Sequence, residues 1–155
     1  HGLLLRSSEV MSLAVEVQAL FVFYEALADE KGIQMHLAGD AHVTGDRLML
    51  RRAISNLLSN ALRYTQVQGQ VRIEIWTSDS LVRLSVENTG TEISPELLPR
   101  LFDRFFRADK SRAHPETDGS GLGLSITRAI MQAHGGSASV SSYDSRIRFT
   151  LAFPA

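Results

Sequence analysis

The sequence predicts an α+β fold, a two-layer α/β sandwich with helices over one face of a mixed sheet, on three observations. Segments with apolar residues at helical spacing and segments that alternate apolar and polar residues follow one another without strict βαβ regularity. Two alternating segments, Gln70–Thr77 and Leu81–Glu87, are separated only by Ser78–Ser80, a hairpin length. The chain of 155 residues, 44% of them hydrophobic, is long enough for one domain with a substantial core.

In chain order, residues 1–9 read as the end of a linker, frayed over His1–Ser8, and residues 10–155 as the domain. Leu13, Val17, Leu20, Phe21, Tyr24, Leu27 and Ala28 predict a helix from Ser12, its N-cap, to Lys31, with Gly32 ending it. Ile33–Leu37 and Ala41–Thr44 are short strand candidates around a Gly39-Asp40 turn. Asp46 caps a long helix to Thr65, with Leu50, Ala53, Ile54, Leu57, Leu58, Ala61 and Leu62 on its core stripe. The hairpin follows. Ser94-Pro95-Glu96 reads as a helix start, with proline in the first turn. Ala108–Gly119 is polar and turn-rich, as a mobile loop would be. Gly121–His134 is the third helix, with Leu122, Ile126, Ala129, Ile130 and Ala133 on one side and Gly135-Gly136 stopping it. Ser137–Ser142 and Arg146–Phe153 are the last two strands.

Composition excludes some functions. A net charge of −1 lacks the basic excess of a nucleic-acid surface. With no cysteine there is no disulfide and no thiolate metal site, which suits a reducing compartment. No apolar run reaches the roughly 18 residues of a membrane span, and there is no signal peptide. The start, HGLLLRSSE, has no initiator Met and reads as a fragment cut from a longer protein, which leaves room for a membrane anchor outside it.

Three stretches carry chemistry. On the long helix, Asn56, Asn60, Arg63 and Tyr64 share a polar flank beside the apolar stripe, because residues three and four apart are neighbours. An amide oxygen suits magnesium, a guanidinium suits phosphate, and a phenol ring offers a stacking surface for a purine. The plainer reading is the solvent face of an amphipathic helix. In DGSGLGLSI, Gly119, Gly121 and Gly123 lead into a helix, where backbone N–H groups and the helix dipole favour an anion. The plainer reading is a tight loop. The segment is neither a dinucleotide fingerprint nor a Walker A loop: no strand feeds the glycines, and GK[ST] is missing. HRD and DFG are absent too. Asn88, at a strand end before Gly90, has an oxygen to accept from an exocyclic amine and an N–H2 to donate to a ring nitrogen. The plainer reading is an ordinary turn residue. The histidines at 1, 36, 42, 114 and 134 show no metal-binding spacing.

NLLSNALRYT, ENTGTEI, LFDRFFRAD and GSGLGLSI occur in this order. They resemble the N, G1, F and G2 boxes of the catalytic ATP-binding domain of sensor histidine kinases, in the GHKL superfamily with its Bergerat fold. The resemblance covers nearly all of Val10–Ala155, and ENTGTEIS with LPRLFDRFFRAD is most similar to heavy-metal sensor kinases responding to copper or zinc. It implies a mostly antiparallel sheet, about three helices and a flexible ATP lid. It also implies ATP and magnesium, with Asn60 as the metal ligand and Asn56 supporting it. Arg63 stands where phosphate is touched, and Tyr64 near adenine. Asn88 stands where most members carry Asp for the adenine amine, within a box that includes Gly90 and Ile93. Gly119, Gly121 and Gly123 form the phosphate turn with Leu122 and Leu124 beneath, and Arg107 reaches the γ-phosphate once the lid closes. Phe102, Phe105 and Phe106 are the F-box aromatics. Glu92 in place of a second glycine is a departure.

No histidine here sits in the phospho-acceptor context of that family, so the acceptor is implied on a separate dimerisation domain of the same kinase, with relay to an Asp of a response regulator. The full protein is implied to be a membrane-bound homodimer, and this part a cytoplasmic domain of an inner-membrane protein. The hydrolytic branch has Glu where this chain has Asn56, and an amide takes no proton from water at neutral pH. An ATPase of the same superfamily, or a nucleotide-responsive module without transfer, are the alternatives.

Overall fold

The computed structural model describes residues 3–90, 93–103 and 123–154. Strand β1 (Glu9–Ser12) pairs antiparallel with β3 (His42–Gly45) in a small two-stranded sheet. The main sheet has the order β2-β4-β5-β7-β6, formed by β2 (Gln34–Ala38), β4 (Gln70–Ser78), β5 (Leu81–Thr89), β7 (Arg146–Pro154) and β6 (Ser137–Tyr143). Only β2 and β4 run parallel; the other pairs are antiparallel. Three helices, α1 (Leu13–Lys31), α2 (Arg47–Tyr64) and α3 (Gly123–Ala133), complete a two-layer α+β sandwich. Val71, Ile73 and Ile75 of β4, Val82, Leu84 and Val86 of β5, and Ile147, Phe149 and Leu151 of β7 are buried in the core between the layers.

α2 is the spine. Its stripe of Leu50, Ala53, Ile54, Leu57, Leu58, Ala61 and Leu62 is buried as the spacing predicts. Each Leu or Ile so buried contributes about 1.5–3 kcal/mol. Asp46 caps its N-terminus through the Met49 amide, and the same carboxylate accepts from the backbone of Arg6 at 2.9 Å. These hydrogen bonds, Arg6 first, hold the Asp46 carboxyl below its ordinary pKa. The Asp46 amide in turn donates to His134 Nε2 at 3.0 Å, so the ring proton sits on Nδ1, facing Ile130 O. One junction thus joins the start of α2, the end of α3 and the entering chain.

Four details differ from the sequence reading or go beyond it. First, β1 begins inside the segment read as linker, and Arg6 is already fastened to Asp46. Second, the strands around Gly39-Asp40 lie in different sheets, because Asp40 turns back to accept from Ser12 and the Ala14 amide and draws β3 against β1. Third, Ser94–Glu96 starts no α-helix. Pro99 has no N–H for the carbonyl four residues back, so the chain closes as successive i→i−3 turns around a 3₁₀ helix at Leu98–Arg100. Fourth, α3 buries Thr127, Ile130 and Met131, a stripe turned by about one residue from the expected one. Thr127 is accommodated there because its hydroxyl donates to Ala53 O at 3.2 Å.

Glu16 of α1 is fully buried, yet apolar spacing gave no sign of it. Its two oxygens accept from Arg47 and Arg51, and Arg47 also reaches Glu9 of β1 at 2.9 Å. This pairing compensates the buried carboxylate, since an unpaired one would be strongly destabilising.

Candidate nucleotide-binding site

The polar flank of α2, the end of β5 and the start of α3 meet at one edge of the sandwich. Asn56 sets the first contact. Its Nδ2 donates to Gly123 O at 3.0 Å and approaches Thr127 Oγ1 at 3.4 Å. The amide therefore fixes the first turn of α3, and with it the exit of the glycine-rich segment, to the middle of α2. Asn60, one turn further along, is half-buried. Arg63 follows and lies over the Tyr64 ring, 5.8 Å from its centroid, in cation–π contact. Tyr64 is 38% exposed.

The end of α2 is held from behind. Lys31, the last residue of α1, donates to Leu62 O at 2.6 Å and Arg63 O at 3.3 Å. Thr65 closes the helix by donating its amide and hydroxyl to Ala61 O. Nothing in local spacing pointed to Lys31, because the pairing spans two helices far apart in sequence.

Strand β5 brings Asn88 to this edge. Its register partners are Val71 and Ile147, so its side chain lies in the row that packs toward the helices, and it is 2% exposed. Nδ2 donates to Thr89 O at 3.1 Å. This bond occupies one of the two N–H groups of the amide, and the other N–H and the oxygen are left for a base. Gly90 is buried; a Cβ there would lie a tight 3.3 Å from Asn88 Nδ2 and in ordinary contact, 3.5 Å, with Tyr64 O at the end of α2. Its amide donates to Ser145 O at 2.9 Å, tying it to the β6–β7 turn. Ile93 donates its amide to Ser142 Oγ at 3.0 Å, and its side chain packs on the core, as Leu124 does. Phe102 is core, edge-on to Phe149 at 5.9 Å.

On the other side of β5, next to Asn88, Glu87 accepts from Tyr143 at 2.8 Å and pairs with Arg148 at 3.0 Å and Arg146 at 3.6 Å. Burial alone would raise this carboxyl, but the Tyr143 and Arg148 hydrogen bonds and the charges of Arg148 and Arg146 outweigh it and hold the pKa below its ordinary value. The same hydrogen bond is the main cause that raises the Tyr143 phenol.

Glu92, Phe105, Phe106, Arg107, Gly119, Gly121 and Leu122 lie outside the described residues. So do His1 and His114, while His36 and His42 are exposed on strands. Among the described residues no group of three or more His, Asp or Glu is placed to hold a metal ion, and no helix is long and apolar enough to cross a membrane.

Residues 45–155 match the family described as histidine kinase-, DNA gyrase B- and HSP90-like ATPases. The chain belongs to this family, on its histidine-kinase branch, as a catalytic ATP-binding domain. Among named relatives, it is 48% identical over 153 residues to the sensor histidine kinase CusS of Escherichia coli K12, covering 98% of this chain and 32% of that protein. It is 44% identical over 149 residues to the probable sensor protein PcoS of Escherichia coli, covering 96% and 32%. The chain thus spans about a third of the length of the curated relatives it matches. Among solved structures, the catalytic domain of the histidine kinase ThkA superposes with a TM-score of 0.84 at 27% identity, covering 96% of this chain and 95% of that one. Full-length ShkA in complex with AMPPNP gives 0.84 at 26% identity, covering 99% and 32%.

Proposed function

We propose that this domain binds Mg-ATP at the edge where α2, the end of β5 and the start of α3 converge, and presents the γ-phosphate to a histidine on a separate dimerisation domain of the same kinase. The convergence itself carries this reading: Asn56 joins α2 to Gly123, and Gly90 sits against the last turn of α2. Asn88 accepts from the adenine amine, and the ring of Tyr64 stacks on the base. Arg63 faces phosphate, and Gly119, Gly121, Leu122, Gly123 and Leu124 are assigned to the phosphate side. Arg107 is assigned to the γ-phosphate.

Magnesium fits this donor set. A neutral amide oxygen is a hard ligand, and with no carboxylate cluster among the described residues the ion is held by Asn60 together with the substrate phosphates and water. Bound there, it neutralises phosphate charge. What the chain supplies is position: a fixed base, an oriented phosphate tail and a guanidinium beside it. Asn56 supports transfer over hydrolysis, because its N–H2 is engaged by Gly123 and Thr127 and no carboxylate stands there to deprotonate water.

The whole protein is read as a membrane-bound homodimer, with this domain on the cytoplasmic side of the inner membrane, sensing a heavy metal and passing its phosphoryl group to an Asp of a response regulator. A ThkA structure in complex with the response regulator TrrA, similar to this chain with a TM-score of 0.80 at 26% identity, supports the last step. The test mixes this domain with a dimerisation domain carrying the acceptor histidine and γ-labelled ATP. Acid-labile, base-stable label on that domain is expected. Demonstrated ATP binding with no transfer, or rapid hydrolysis by the isolated domain, contradicts the reading.

A further inference from the structure

The outward side of α1 has the wrong chemistry for water. Leu13, Val17 and Ala28 face the core and are buried. The opposite side of such a helix ordinarily carries its most polar residues along the middle. Here that middle is Val15, Ala19, Val22 and Ala26, all exposed, with Val22 at 75%. Phe23 stands beside them at 76%. The four lie in steps of four, three and four residues, the spacing of the seam that one helix offers another. Phe23 is also held in place. Its ring meets Tyr24 edge-on at 5.2 Å, and the Tyr24 hydroxyl lies 2.6 Å from Ser55 Oγ on α2. An exposed aromatic that is already fixed loses little freedom when it is covered.

Charge says what covers this row. Glu25, Asp29 and Glu30 border it toward the C-terminal end of α1, all exposed. Lys31, the one cation of the helix, turns its ammonium to the carbonyls of α2 instead. An anionic bilayer surface would be repelled by these carboxylates. A second copy of the face would bring the same row and no cation to meet them. Ala19 and Ala26 leave hollows between Val15, Val22 and Phe23, and hollows of that kind take long apolar side chains. We propose that the outward face of α1 docks an amphipathic helix of a partner protein. That helix carries long apolar side chains in alternate steps of three and four, with Lys or Arg along the edges that meet Glu25, Asp29 and Glu30. α1 holds none of the residues assigned to the nucleotide, so docking and nucleotide binding are tested separately.

The test titrates the isotope-labelled domain with two synthetic helical peptides, each about three heptads long with leucine along the row. One peptide has lysine along its edges and the other glutamate. The lysine peptide is expected to bind one to one, with amide shifts gathered at Val15, Ala19, Val22, Phe23 and Ala26. Its affinity should fall as salt is raised. Phe23→Ala should weaken it roughly tenfold, the effect of losing an aromatic anchor. Ala26→Arg should weaken it at least as much, by setting bulk and like charge in the row. Both positions are exposed, so an unchanged melting temperature confirms that each variant is folded. Equal binding of the glutamate peptide, shifts on another surface, or an affinity that neither variant alters overturns the proposal. So does binding of the domain to phosphatidylglycerol vesicles, or self-association of the domain alone, if Phe23→Ala abolishes it, because a membrane or a second copy would then be the occupant.

Discussion

At the scale of single residues, type was readable and partnership was not. Asn88 stood out as a polar side chain at a strand end, but the bond from its Nδ2 to Thr89 O is a fact of backbone geometry. Tyr64 stood out as a ring, but the Arg63 guanidinium over one of its faces did not. Glu16 gave no signal, because a carboxylate in an apolar helix looks exposed until Arg47 and Arg51 arrive from another helix. Ser85 is the opposite case. It is fully buried on β5, and its hydroxyl has no hydrogen-bond partner among the described residues. Such a group costs desolvation without return, so Ser85→Ala is expected to be neutral or stabilising by up to about 1 kcal/mol. Urea unfolding checks this; a loss of more than about 1 kcal/mol would show that the hydroxyl is satisfied in solution.

At the scale of elements, long periodic segments were legible and short ones were not. Seven apolar positions fixed α2 and its buried face, and the hairpin β4–β5 followed from alternation and a short loop. β1 holds only four residues, half of them exposed, and its pairing with β3 depends on contacts made through Asp40. The 3₁₀ turn was misread because Pro95 suits a helix start while Pro99 forbids its continuation. Lys31 shows what element pairing adds. It sits where the C-termini of α1 and α2 converge, and both ends favour a cation. Lys31→Met is expected to cost about 1 kcal/mol and to speed hydrogen exchange at the amides of Arg63, Tyr64 and Thr65. Lys31→Arg should restore much of both. Unchanged exchange in the methionine variant would mean that Thr65 closes α2 alone.

At the scale of the whole molecule, the sheet is fastened by charge as well as by its core. Glu87 ties β5 to β6 through Tyr143 and to β7 through Arg146 and Arg148. Its folded pKa lies below the ordinary value near 4.5, so its contribution is fully present above that value and is lost as pH falls through the folded pKa. Melting temperature should therefore drop on acidification below about pH 4.5, and Glu87→Gln should flatten that part of the profile while lowering stability at neutral pH. A variant with an unchanged acid limb would place the titrating group elsewhere.

The convergence of α2, β5 and α3 on a nucleotide is the claim on which the rest depends, and a titration of labelled domain with ATP tests it most directly, with and without magnesium, in wild type and Asn60→Ala. Amide shifts are expected to concentrate at Asn60, Tyr64, Asn88, Gly90 and Gly123, with affinity rising in magnesium for wild type and not for Asn60→Ala. Shifts confined to another surface, or a magnesium effect that survives Asn60→Ala intact, would contradict the account.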